Sequence, residues 1–586
     1  MPQTKQIPII SKPDAYAYVA SGYGVLGLAT ATVPANLNGY FEINPQGLDN
    51  SHKVSFNKRP GVSDNTFLTT FSNLICTNAA ERIKGLTTSL DKTKLVFVSQ
   101  DATKRYSNFY DASTNTLTQT DISASFVAGE YAFTQLDNIN FGSGVAYATT
   151  NGTEGALISA TGVWSKISDA DYTSTGVKTC FVGLDGYLFY GVISGTGAGR
   201  IYSSELSVAA AATGWNATSY ISAYDVPGAI VWLARIRNYI VCFKQGSIEF
   251  FENVGAPTPG SPLEARKGLT KSIGCASASS VQYVDDGIIF LGIDKNGKQS
   301  VYKLESANLE LKKISNAVVD MSLHNSTVSI ANFQSFSNDY EGASNTAKGQ
   351  SQIIVWHNKQ LYTICINSYW GSVQNTMVYD NELDIWYIWA TNFGGAGDGA
   401  VQDRHFVPSM CFQLTAGGAG GYYTMFANNY ASISKSRFSM FTATSSSTNI
   451  SANYNWMDAY SATTSEFQNF PMAWRSEHFD FGTHDRKLMH SIEVIYDIPS
   501  FGGASTINGV MSLSLFRIPN KSRNYITPAR TIYSPNTAES RDGYGRFKVN
   551  RLGQFRSAAI SLYTYGATPM RIWATEVNYS GGPQYA

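Results

Sequence analysis

The feature that most constrains this chain is a grammar of short apolar runs and polar breaks, stated twice between Asp225 and Leu304. The first statement reads DVPGAIVWLARIRNYIVCFKQGSIEFFENVG. Its apolar runs are residues 230–233, 239–243 and 247–251, and the turn-like breaks are residues 235–238 and 244–246. After a Gly/Pro-rich interval the pattern returns in KSIGCASASSVQYVDDGIIFLGIDKNGKQSVYKL. There the runs are 279–284, 288–291 and 300–304, divided by Asp285-Asp286-Gly287 and by 294–297. Runs this short, rich in β-branched and aromatic residues and bounded by Gly, Asp and Asn, read as strands joined by hairpins. Two small antiparallel sheets in succession imply a chain built from many.

The same rhythm extends in both directions. It begins near Ile83, with hairpin signals at Leu90-Asp91-Lys92-Thr93-Lys94 and at Asp185-Gly186. Units start near residues 82, 128, 176, 226, 276 and 350. A spacing of about 40–55 residues is that of one four-stranded propeller blade. A blade cannot bury its own faces, so closure of the ring supplies the core. The expected fold is all-β: a propeller over residues 81–400, six blades favoured and seven left open. Val378-Tyr379-Asp380-Asn381 followed by Trp386 fits either a kelch-type blade or a plain hairpin with a core tryptophan.

The flanks differ. Residues 1–80 carry Pro at 2, 8, 13, 34, 45 and 60 and read as an irregular arm and platform segment, with Lys58-Arg59 as a solvated flank of the Pro60-Gly61 turn. Residues 22–33 are apolar but lack a basic leader, so they read as a strand or ordered arm and not as a cleaved signal. Residues 391–470 hold the Gly-rich tracts 394–399 and 417–421 and the Ser/Thr tract 445–451. Long loops are expected there, one or more of them mobile, with 401–470 as a gate or an interface. From Met472 longer runs (478–482, 489–496, 510–516, 546–549, 558–565, 570–577), several of them cleanly alternating, indicate a β-sandwich-like domain of roughly six strands over 471–586.

Charge and cysteine usage narrow the function. Charged residues are 15% of the 586, below the roughly 25% of typical soluble domains, and aromatic residues are 13%. A chain with so few charges favours life inside an assembly. A formal net charge of zero argues against a dedicated nucleic-acid binder, which shows a basic stripe. The six cysteines (76, 180, 242, 275, 365, 411) have no metal-ligand spacing, and Cys242 and Cys365 lie in apolar runs. They read as buried free thiols of a protein made in a reducing compartment. No run of 18 apolar residues occurs, so no membrane-spanning helix is expected.

Catalytic signatures are missing. G-x-S-x-G, a P-loop, H-E-x-x-H and the S-x-D-x-G-x-x-W box of propeller sialidases do not occur. His478, His484 and His490 are six apart and read as surface or structural residues. Asp285-Asp286 has a sufficient role at a hairpin tip. Sequons such as Asn216-Ala217-Thr218 are expected by chance. No catalytic, cofactor-binding or metal residues are assigned, and no enzyme activity is expected.

Four segments together resemble the tail nozzle, or packaged-DNA stabilisation, proteins of short-tailed bacteriophages. They are Asn57-Lys58-Arg59-Pro60-Gly61; residues 239–249 with Ile273-Gly274-Cys275 and 286–292; Val378-Tyr379-Asp380 with Trp386; and Phe479-Asp480-Phe481-Gly482 with Arg551-Leu552-Gly553-Gln554-Phe555-Arg556. The Gly-rich insertions between 391 and 470 depart from the family pattern. The resemblance implies a structural virion protein synthesised in the host cytoplasm. It implies a homohexameric ring at the distal end of the tail, below the head-to-tail adaptor, with tail fibres or spikes attached outside. Double-stranded DNA would pass through the channel without specific binding, retained until ejection. Low charge suits such a conduit, because each Lys or Arg contact to phosphate adds a counterion-release term to affinity. Arg551 and Arg556 are the candidate interface or ion-pair corner, with an exposed strand-turn pair as the plain alternative. A receptor-binding or glycan-depolymerising tail protein would share the propeller, and so would a cellular scaffold.

Overall fold

A computed structural model describes residues 2–8, 10, 17–18, 32–33, 36–43, 54–64, 71–78, 80–136, 144–207, 213–255, 260–324, 350–356, 359–367, 374–389, 410–415, 422–428, 437–441, 457–459, 467–469, 472–497, 508–518, 525–526, 530–533, 545–565 and 570–581. The chain forms two compact units, one of residues 65–369 and 407–440, the other of residues 1–64, 370–406 and 441–586.

The first unit is the propeller. Blade one holds Arg82–Thr88, Lys94–Gln100, Arg105–Asp111 and Thr116–Asp121 in sequential antiparallel order. Blade two holds Ala132–Gln135, Val145–Thr150, Gly155–Ser159 and Trp164–Lys166; blade three holds Val177–Leu184, Tyr187–Ser194, Arg200–Ser204 and Trp215–Ser222. Blade four runs Ile230–Ile236, Tyr239–Lys244, Ile248–Asn253 and Leu263–Ala265. Blade five is built on Gly287–Ile293 and Gln299–Glu305. Blade six contributes Gln350–Trp356 and Lys359–Asn367, and blade seven Met410–Thr415, Tyr422–Asn428 and Arg437–Phe441.

Neighbouring blades touch in sequence, largely through their inner strands, and Met410–Thr415 returns to Arg82–Thr88. That closes a ring of seven among the described residues, the higher of the two expected counts. The extra blade comes from residues 410–441, inside the stretch expected to be loops. Its strands are spelled with Met, Phe and Tyr, and Gly-rich tracts flank the first of them, which hides their rhythm. The tracts 394–399, 417–421 and 445–451 lie outside the described residues.

Hairpin chemistry fixes the registers. Leu184 pairs with Tyr187 around Asp185 (φ 51°) and Gly186 (φ 83°), a two-residue turn with both centres left-handed. Ile236 pairs with Tyr239 around Arg237 and Asn238. Between blades four and five, Ala234, Val241, Phe243, Phe250, Ile288, Phe290 and Leu304 form one buried cluster.

The second unit contains two large antiparallel sheets, besides the two-stranded pairs Ala17–Tyr18/Thr32–Val33 and Met457–Ala459/Phe467–Asn469 and the hairpin Gln374–Asp380/Ile385–Trp389. One runs Gly39–Ile43, Val54–Lys58, Arg571–Gly581, Lys487–Asp497 and Gly545–Phe555, with Gln3–Ile7 also on Arg571–Gly581. The other runs Met472–Arg475, Ser557–Tyr565, Asn508–Ile518 and Tyr525–Ile526, with Arg530–Tyr533 beside Asn508–Ile518. The runs 489–496, 510–516, 546–549, 558–565 and 570–577 are therefore strands, whereas 478–482 is not: Phe479 makes one isolated bridge to Ala558, and Phe481 and Gly482 turn the chain at φ 55° and 81°. The N-terminal segment, expected as an irregular arm, instead supplies three strands to the C-terminal sheet.

Candidate functional site

Two of the four family-like segments meet in the second unit, around residues 36–41. Asn36 and Asn38 take left-handed backbone at φ 57° and 51°, a conformation asparagine tolerates better than most residues. Between them Leu37 donates its N–H to Ala473 O (2.8 Å) and accepts from Ala473 N, while Asn38 N donates to Ile388 O (2.7 Å). Arg59 N donates to Asn38 O at 2.9 Å, and Arg59 Nε donates to Asn38 Oδ1 at 3.1 Å. Arg59 Nη1 also donates to Pro60 O. Lys58 and Arg59 are 2% and 0% exposed, which corrects the expectation of a solvated turn flank. Strand Val54–Lys58 is covered along almost its whole length, and the charges go inward with it.

The hairpin Gln374–Asp380/Ile385–Trp389 clasps the same segment. The Tyr387 hydroxyl accepts from Phe41 N at 3.1 Å and donates to Asp380 Oδ2 at 3.1 Å. Trp389 Nε1 donates to Gly39 O at 3.1 Å. Asp380 is fully buried and its Oδ1 accepts from Glu382 N and Leu383 N, closing the hairpin turn. Burial, then the neighbouring Asp380 charge, pushes the Tyr387 phenol well above its ordinary range. Tyr379 and Trp386 pack with ring centroids 5.2 Å apart. The wholly buried aromatics of this hairpin are Tyr379, Tyr387 and Trp389, not the Trp386 singled out from sequence.

The fourth segment lies in the same unit. Phe479, Phe481, Phe555 and Tyr579 cluster, with Phe481 stacked on Tyr579 at 4.2 Å. Pairing jumps from Met489↔Gly553 to Ser491↔Asn550, so Arg551 and Leu552 together oppose His490 in a bulge. Arg551 sits at φ 62°; Arg551 and Arg556 are both exposed. The three histidines do not converge on a ligand set. His490 bonds Ser580 Oγ (2.9 Å), and the exposed His484 lies 3.5 Å from Asp480. Burial, then Arg475, holds the His478 imidazole below its ordinary pKa. Among the described residues no group of three His, Cys, Asp or Glu side chains is placed to hold a metal.

The second segment spans blades four and five. Lys244 ends its strand fully buried instead of forming a polar break. Its ammonium meets Glu249 Oε1 at 2.8 Å and donates to the carbonyls of Ala223 (2.5 Å) and Val226. Glu249 also accepts from Val226 N at 3.1 Å, so the pair staples the crossover from blade three to blade four. A carboxylate inside the apolar run 247–251 was the signal for this pair, since a buried charge demands a partner. In the next blade, Gly274 approaches Gln245 so closely that a Cβ would lie 1.9 Å from the Gln245 carbonyl oxygen. At the hairpin tip, Asp285 accepts from and donates to the Gln360 amide (2.7 Å each), tying blade five to blade six, while Asp286 pairs with Lys303. Burial pushes the Cys180, Cys275 and Cys411 thiols up to about 12 and Cys242 higher still, so these thiols are poor nucleophiles. The Cys365 side chain lies outside the described residues.

The four segments thus carry clasps, staples and a bulge, all devices that fix one chain segment against another. Residues 109–380 match a family model described as the phage stabilisation family, bacteriophage P22 Gp10, beta-propeller. No curated protein matches the chain. Among solved structures, an uncharacterized protein from Listeria monocytogenes is 10% identical, with 61% of this chain and 96% of that chain covered at a TM-score of 0.31. A putative 6-phosphogluconolactonase from Bacteroides fragilis is 10% identical, with 60% and 94% covered at 0.28. Hsv2 from Kluyveromyces lactis is 12% identical, with 53% and 97% covered at 0.23. Scores this low carry no argument about this chain.

Proposed function

This chain is identified through residues 109–380 as a bacteriophage tail stabilisation protein, and from that premise we propose that it forms the distal nozzle ring of a short tail, retaining packaged DNA and gating its ejection. The observation that carries the proposal is the buried clasp of Asn38, Arg59, Asp380 and Tyr387. It locks family-like segments more than 300 residues apart without presenting a reactive group, as a part under mechanical load requires. Six copies would surround the channel, with the adaptor above and fibres or spikes outside. The role is structural and not enzymatic. Zero net charge and low charge density support passage of DNA without grip.

Electron microscopy of purified tails tests this reading. It expects a six-fold ring at the distal end that labels with an antibody to this chain, and particles lacking the chain that lose their DNA. Label confined to fibres, with DNA retained in its absence, would instead support the receptor-binding or glycan-depolymerising alternative.

A further inference from the structure

We propose that the N-terminal strand Gln3–Ile7 is exchanged between neighbouring copies, each copy's C-terminal strand Arg571–Gly581 receiving the strand of the next. The inference rests on the ring reading for its neighbours, and on the following geometry for its mechanism.

The receiving edge is built and specific. Along one side of Arg571–Gly581, Arg571 and Ile572 pair with Asn57 and Phe56 of Val54–Lys58, and residues 575–579 take Ile7 to Gln3 in register. Without that strand, residues 575–579 would present an open row of backbone donors and acceptors, the hazard that sheet edges carry. The edge also reads side chains. Tyr579 donates its hydroxyl to Gln3 Oε1 at 3.0 Å, and Lys5 Nζ lies 5.6 Å from the centre of the Phe481 ring stacked on Tyr579.

The donated strand is lightly attached. Gln3, Thr4, Lys5 and Gln6 are exposed, and Ile7 alone is buried. Its neighbour on the same edge behaves differently: Val54–Lys58 is buried and continues into the Arg59–Asn38 clasp, so it cannot be lent. Residues 8–35 separate the donated strand from that clasp. Even with Ala17–Tyr18 kept paired to Thr32–Val33, residues 8–16 and 34–35 span up to roughly 40 Å when extended. Each contact made by Gln3–Ile7 is the same whichever copy supplies it, the condition for low-cost strand exchange. A heterologous contact of this kind closes around a ring, and the high effective concentration of neighbours there favours it.

Crosslinking tests the exchange. Thr4 lies opposite Asn578. One preparation carries Thr4→Cys, a second carries Asn578→Cys, and the two are mixed, assembled and oxidised. Exchange predicts a covalent dimer on a non-reducing denaturing gel, containing the 4–578 peptide pair by mass spectrometry. A chain carrying both substitutions should give a ladder of covalent multimers from assembled rings. If rings form by light scattering and the double variant crosslinks only within one chain, the exchange is overturned while the ring stands. If the double variant does not crosslink, the pairing itself is refuted. If no ring forms and every crosslink is internal, both the ring reading and the exchange fail.

Discussion

The two units differ in how far apart in sequence their contacts lie. In the propeller, most strands pair with the strand before or after them, as Ile236 does with Tyr239 and Ile288 with Leu304. In the other unit, Arg571 pairs with Asn57, and Tyr579 bonds Gln3 across 576 positions. Local pairings form early because little loop entropy is lost in closing them, whereas distant ones must wait. The propeller therefore stands on many repeated hairpins with a few buried staples. The second unit stands on a small number of long-range clasps, each of which closes a large loop.

The largest expected effect lies at the propeller's buried staple. Glu249→Leu leaves the Lys244 ammonium buried without its carboxylate and should cost about 3–5 kcal/mol. Lys244→Met combined with Glu249→Leu should recover much of that loss. A urea midpoint that falls no further for Glu249→Leu than for the double variant would show that the pair is not the staple it is drawn as. Gly274→Ala is next, at about 1–3 kcal/mol of overpacking strain, because the Gln245 carbonyl must move to admit a Cβ. Both act on the propeller, so both should shift its unfolding transition.

The clasp of the second unit should respond on its own transition. Tyr387→Phe leaves Phe41 N–H and buried Asp380 short of a partner and should cost about 1–3 kcal/mol. A shift in the propeller's transition with no shift in the other unit's would break the comparison between them. Proteolysis mapped by mass spectrometry separates the two.

What the sequence revealed follows the same division. Strands and turns in blades one to five are spelled locally, so Asp185-Gly186 sits where the residues place it, and the break read at 235–238 narrows only to Arg237-Asn238 because Arg235 and Ile236 still pair with Ile240 and Tyr239. Blade seven was hidden because Met410–Thr415 lies between Gly-rich tracts and because its three strands hold only two β-branched residues, Thr415 and Thr424. Lys58 and Arg59 read as a solvated turn flank, and Lys244 as the start of a polar break, because a cation beside a turn usually faces solvent. Their burial depends on partners that hydropathy patterning does not identify, Asn38 from a distant turn and Glu249 from the next strand. The N-terminal strands were missed for a related reason: Gly39–Ile43 and Val54–Lys58 become recognisable only through the C-terminal edge they complete.

A pH-dependent effect sits in blade three. Lys178 is buried, with its ammonium 4.5 Å from the centre of the Tyr172 ring and bonded to Gly176 O at 2.9 Å. Burial lowers its pKa from 10.5 to about 8. The unfolded chain then holds the proton more tightly than the folded one, so the buried charge costs stability at neutral pH. That cost is lifted as pH rises from about 8 to 10.5. Propeller stability should rise across this window by up to about 1.4 kcal/mol per pH unit, after subtraction of other titrations by comparison with Lys178→Met. An identical pH slope in the wild type and Lys178→Met would remove Lys178 as the cause.

The smallest effect on folding is expected at Arg551, and there it separates folding from assembly. Arg551 is exposed and left-handed, so Arg551→Gly relieves backbone strain and should change stability by no more than about 1 kcal/mol, in the stabilising direction. If Arg551 and Arg556 line a subunit interface, Arg551→Gly combined with Arg556→Ser should leave the unfolding midpoint of the isolated chain near that of wild type while reducing ring formation in low salt. The deficit should shrink as salt is raised, because the wild type loses its charge contact too. Equal ring yields at both salt concentrations would assign the pair to solvent, and the family-like segment Arg551–Arg556 would then owe its form to the bulge against His490 alone.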